Sequence, residues 1–129
     1  MRLRVVFVVL ALLSASAVSA EPYEFLACNF REGKTMADLD HWLPMNAAAN
    51  DKYKDGYKAV VLTPLYAEAP NTPDFFWMGI WPDAEKMGLG LRNWYEKGVG
   101  AEAMAQLTKI ADCNVGSSLW LGRTVYRQK

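Results

Sequence analysis

Histidine and cysteine are scarce: His41 is the only imidazole, and Cys28 and Cys113 are the only thiols, in 129 residues. One imidazole among scattered carboxylates makes a poor ligand set, so no metal is expected. Neither cysteine lies in a CxxC or beside basic residues, which argues against a reactive thiol. Lys and Arg form no run, and 14 basic residues balance 14 acidic ones. Nucleic acid and anionic membrane surfaces are therefore poor partners. No internal repeat or low-complexity tail is present, and no Ser/His/Asp set or carboxylate pair stands out. Gly88-x-Gly90 falls within a helical stretch and lacks the spacing of a phosphate loop. No cofactor is expected.

The N-terminus carries the three parts of a secretory leader. Arg2 and Arg4 precede the apolar run Val5 to Leu13, and small residues follow as far as Val18-Ser19-Ala20. Cleavage is expected between Ala20 and Glu21. The apolar run is far shorter than the roughly 20 residues a membrane span needs, so no span is expected after cleavage. Glu21 is not a lipidation cysteine, and Arg2 and Arg4 are not a twin-arginine pair. The expected organisation is residues 1–20 as signal and 21–129 as one domain, periplasmic or secreted. Loss of Arg2 and Arg4 from the 14 basic residues leaves 12 against 14 acidic, a net charge of −2.

In an oxidising compartment two cysteines suggest one disulfide, Cys28 to Cys113. Closing so long a loop stabilises by about 4–5 kcal/mol on the chain-entropy model.

Alternation of apolar positions predicts strands over 23–30, 57–65, 74–81 and 117–127. A helix is expected to start at Thr35-Met36-Ala37-Asp38, with Pro44 kinking or ending it and helix resuming over Met45 to Asn50. A second helix runs from Asp83 to about Lys97, and a further helical segment covers 101–111. The stretch 51–56 reads as polar and exposed.

The resulting order, β-α-β-β-α-β, fits an α+β, ferredoxin-like plan: a four-stranded antiparallel sheet with helices on one face. That topology brings the end of the first strand beside the start of the fourth, and so Cys28 beside Cys113. Both faces of the strands are apolar while helices cover only one. A bare apolar face of this kind usually marks an interface, and a sheet-to-sheet homodimer is expected.

This order, size and two-sided strand pattern resemble the dimeric α/β-barrel superfamily, which includes antibiotic-biosynthesis-monooxygenase-like and stress-responsive barrel proteins. More narrowly, Cys28-Asn29-Phe30-x-x-Gly33-Lys34 and Phe76-Trp77-x-Gly79-x-Trp81-Pro82 are similar to stretches of exported bacterial proteins. The superfamily resemblance implies a pocket between sheet and helices for a small, often aromatic or haem-like ligand. Its haem-degrading members use an Asn on strand one, a Trp on strand three and a His on the second helix. Asn29 and Trp77 fall on matching strands, but His41 lies on the first helix, which argues against haem ligation.

The candidate ligand-binding residues are Asn29, His41, Trp42, Trp77, Trp81 and Trp94, with Tyr95 in the same dense aromatic set. Indole and phenol rings combine apolar area with a polar tip, as ligand pockets prefer. Gly79, Gly88 and Gly90 either leave room for a ligand or allow close helix-to-sheet approach. Three functions fit this pattern. The first is an exported binding domain for a small apolar or aromatic molecule. The second is a cofactor-independent monooxygenase-like enzyme arranged around Asn29 and His41, and the third is a structural dimer without a ligand site. The first two require an enclosed cavity of a few hundred Å3 on general grounds.

Overall fold

The structure, a computed structural model, describes residues 20–66 and 71–123. The expected leader before Ala20 and the expected end of the last strand lie outside the described residues. Four strands form one sheet: β1 (Glu21–Phe30), β2 (Lys58–Leu62), β3 (Phe75–Ile80) and β4 (Ala111–Gly122). Their spatial order is β2-β3-β1-β4, and every neighbouring pair is antiparallel. Between the strands lie α1 (Met36–Asn50), α2 (Ala84–Leu91) and α3 (Ala101–Ile110). A single wide turn of π-helix, Arg92–Glu96, extends α2.

Strand parity sorts the side chains. Phe75 and Trp77 on β3 pair with Cys28 and Leu26 on β1, so all four project to one side. On that side they meet Leu39 and Trp42 of α1 and Ala103 and Leu107 of α3, forming the buried core. Trp42 Nε1 donates to the Ala103 carbonyl at 2.7 Å and ties the two helices together. The opposite side carries Tyr23, Phe25, Phe76, Met78, Val60 and Leu62, none of them fully covered. Trp120 on β4 pairs with Tyr23 and is 61% exposed.

Helix starts follow the sequence. Asp38 accepts from the Thr35 backbone N–H at 3.0 Å and pairs with Lys34 at 3.0 Å. Asp83 caps α2 by accepting from the Lys86 N–H at 2.7 Å. Pro44 does not end α1, which continues to Asn50. Leu39, Trp42, Asn46 and Ala49, at spacings of three and four, stay buried on both sides of the proline. Packing along that stripe outweighs the hydrogen bond that Pro44 cannot donate.

The last strand begins at Ala111 rather than Ser117. Its register against β1 shifts between Ala27 and Asn29, a bulge at Cys28 where the Cys28–Cys113 disulfide crosses between the strands. The polar residues Asp112 and Asn114 therefore belong to the sheet rather than to a loop. Asp55 departs from the expected exposed loop: it is 9% exposed, and its Oδ1 accepts from the Tyr57 N–H at 3.0 Å.

Candidate functional site

Along the helix-covered side the packing changes from one end of β1 to the other. Around Cys28 and Phe75 it is closed, with both residues 0% exposed. Towards Glu24 it opens into a chamber of about 70 Å3. Leu26 and Glu24 of β1 and Trp77 of β3 floor it, with Trp81 just beyond the strand. Trp42, Asn46 and Asn50 of α1 wall one side, and Gly90, Leu91, Trp94 and Tyr95 wall another. The segment before β2 adds Asp55 and Tyr57. A shallower hollow of about 190 Å3 shares Glu24, Trp81 and Leu91 with the chamber and reaches Leu119 on β4. The chamber is smaller than the few hundred Å3 expected, because bulky indole and phenol rings occupy much of the space between sheet and helices. It has room for a few waters or one small head group.

Two glycines make room where rings meet strands. A Cβ at Gly79 would lie 2.9 Å from the Tyr57 ring and 3.3 Å from Glu24 Oε2. Only a bare backbone there lets Tyr57 lie across β3. A Cβ at Gly90 would lie 2.6 Å from Asp55 Oδ2 and 2.8 Å from Trp81 Nε1. Gly88, by contrast, has open space around it.

The rings are locked against one another. Trp77 Nε1 donates to the Tyr57 hydroxyl at 2.8 Å, and the Trp42 and Trp77 rings meet edge to face at 5.6 Å. Tyr57 stacks obliquely on Trp81, with centroids 4.8 Å apart. Trp81 Nε1 is the exception: it is buried and has no hydrogen-bond partner among the described residues. Asn93, in the π-turn, is likewise buried with neither amide atom partnered. It does not line the chamber.

Among the described residues no Lys, Arg or His contributes to the chamber wall, whereas Glu24 and Asp55 both do. Burial pushes the Glu24 carboxyl above its ordinary range, with no cation among the described residues offsetting it. Burial also raises the Tyr57 phenol strongly, and the Trp77 contact opposes this only in part. Tyr95 is raised by burial and then by the Glu24 charge. Both phenols therefore keep their protons at neutral pH and are available as donors. Among the described residues no group of three or more His, Cys, Asp or Glu could hold a metal.

Four of the six residues singled out from sequence, Trp42, Trp77, Trp81 and Trp94, line the chamber, as does Tyr95. The other two do not. Asn29 has the opposite parity to Cys28, lies exposed on the bare side, and accepts from the Asp74 N–H at 3.2 Å. His41 is exposed because it falls off the Leu39–Trp42–Asn46 stripe of α1. Sequence reasoning missed Glu24, Asp55 and Tyr57 as chamber residues. For Glu24 a signal existed: it shares parity with Leu26 and Cys28, so a carboxylate was bound to face the helices.

No protein-family model matches the chain, and no curated protein matches it. Solved structures do. The chain is similar to SnoaB, a cofactor-independent oxygenase from Streptomyces nogalater, at 13% identity and a TM-score of 0.58, covering 85% of this chain and 100% of that one. It is similar to a dimeric ferredoxin-like protein of unknown function from Thermobifida fusca, at 8% identity and TM-score 0.53, covering 82% and 92%. An EthD-like protein from Ralstonia eutropha matches at 18% identity and TM-score 0.53, covering 85% and 96%. The fold is thus ferredoxin-like, as in these structures.

Proposed function

We propose that the protein is an exported small-molecule-binding domain that holds its ligand in the chamber between sheet and helices. The observation that carries this reading is the chamber itself. Rings locked by hydrogen bonds line a space they do not fill, and two carboxylates, Glu24 and Asp55, stand on its wall. A protein built only to pack would gain stability by closing that space. Export rests on the leader sequence and agrees with the Cys28–Cys113 disulfide. In this reading the exposed row of Phe25, Met78, Val60 and Leu62 is covered by a second copy, as the dimeric ferredoxin-like relative suggests.

The oxygenase relative favours a second reading, a cofactor-independent monooxygenase-like enzyme. Asn29 and His41 would have no part in it, since both lie away from the chamber. Its acid–base groups would be Glu24 and Tyr57.

Native mass spectrometry of the protein purified from its own periplasm tests the proposal. The expected result is a dimer with a retained small molecule that is lost on denaturation. A homogeneous dimer that never carries such a molecule would support a purely structural role instead.

A further inference from the structure

The polar groups of the chamber specify more than a small ligand. Among the described residues its wall holds two carboxylates, Glu24 and Asp55, and no basic side chain. The only ion pair among the described residues is Lys34–Asp38, at the far end of α1. Glu24 receives no hydrogen bond among the described residues, although burial disfavours its charge. A desolvated, unpaired carboxylate is destabilising unless something neutralises it. Trp77, Trp81, Tyr57 and Tyr95 line the same chamber, and both the Tyr57 ring and Glu24 Oε2 lie over Gly79. Aromatic rings attract cations through their quadrupoles, more strongly where water is excluded, and rings plus a carboxylate form the usual enclosure for ammonium groups.

A second observation concerns the spot beside Gly90. Trp81 is 4% exposed, and its Nε1 lacks an acceptor. A Cβ on Gly90 would come within 2.8 Å of that nitrogen and 2.6 Å of Asp55 Oδ2, so both atoms are packed against the bare Gly90 backbone rather than open to a ligand. Asp55 Oδ1 is engaged with the Tyr57 backbone N–H, which leaves Glu24 as the wall carboxylate without a hydrogen-bond donor.

We propose that the chamber takes a small organic ammonium ion, with its cation against Glu24 and the surrounding rings. The inference rests on the chamber being a ligand site and names the class of ligand. Its size fits one head group, and the adjoining hollow towards Leu119 leaves room for whatever the head group is attached to.

The test uses the full mature protein with its disulfide intact and four probes. Ethanolamine and choline carry the charge, and 1-propanol and 3,3-dimethylbutan-1-ol are their neutral isosteres. Calorimetric titration should give at least tenfold tighter binding for each ammonium than for its isostere. Glu24→Gln should remove that preference while leaving the isosteres unchanged and the fold intact by circular dichroism. Isosteres binding as well as the ammonium ions would overturn this inference but leave a neutral-ligand site standing. So would a preference that survives Glu24→Gln. If none of the four binds, and indole as an uncharged aromatic probe does not bind either, both the inference and the binding function fall.

Discussion

On the helix-covered side of the sheet, Phe75 and Trp77 are buried against α1 and α3, and Trp77 forms the floor of a polar-edged chamber. On the other side their immediate sequence neighbours, Phe76 and Met78, stay partly exposed beside Phe25, Val60 and Leu62. Both sides are apolar, yet they differ in how polar atoms are treated. The bare side is an almost purely apolar row whose natural cover is another apolar surface. The covered side brings Glu24, Asp55, Tyr57 and the Trp81 N–H inward and leaves some of them without partners. Buried groups in that condition cost stability, and retaining them is the usual mark of a site rather than of a core.

The contrast can be broken most forcefully at the disulfide, which belongs to the covered side. Replacing both cysteines by serine should lower stability by about 2–5 kcal/mol in a urea titration, given the sequence separation of 85. A change well below that would mean the covered side is held by its packing alone.

A leucine on each side makes a sharper comparison. Leu39 is 0% exposed and Leu62 is 38% exposed. Leu39→Ala should cost about 2–5 kcal/mol, because it leaves a cavity in the core. Leu62→Ala should cost well under about 1 kcal/mol in the monomer, and instead weaken self-association in sedimentation velocity. Equal costs would erase the distinction between the two sides.

The smallest effect is expected at Glu24. Its pKa is raised in the folded state, so the folded protein holds that proton more tightly than the unfolded chain does. The contribution to stability is fully present below the ordinary carboxyl pKa and is lost as pH rises through the elevated folded value. Glu24→Gln should therefore flatten the stability profile above the ordinary carboxyl range. At neutral pH it should raise Tm by a few degrees at most, on the order of 1 kcal/mol or less. A loss of stability at neutral pH would mean that Glu24 is paired in a way this account omits.

Much of this was legible in the chain. The alternation of Phe75, Trp77 and Trp81 against Phe76, Met78 and Ile80 places these three chamber-lining rings correctly, because a strand has only two sides. The disulfide was legible for a topological reason, since the plan puts the end of β1 beside β4. Asp55 was not legible: it lies between Lys54 and Gly56 in a stretch whose composition suits solvent, and only tertiary packing turns it inward. Helix over Met45 to Asn50 was legible, but its unbroken join to the first half of α1 through Pro44 was not, since propensity is local and the buried stripe that overrides it is not. The early start of β4 depended on a bulge, which no alternation pattern in Ala111 to Asn114 announces.

The five tryptophans, Trp42, Trp77, Trp81, Trp94 and Trp120, allow both sides to be watched at once. Four line the chamber, while Trp120 stands on the bare side with its Nε1 donating to Ser118 Oγ at 2.8 Å. Their indole N–H resonances can be followed by NMR while choline, 3,3-dimethylbutan-1-ol and indole are titrated in at constant protein concentration. At least one probe should saturably shift the Trp81 resonance, because that ring lines the chamber and its surroundings change, while Trp120 stays still. Movement of Trp120 with an unmoved Trp81 would contradict that expectation, and would place binding on the bare side instead of in the chamber.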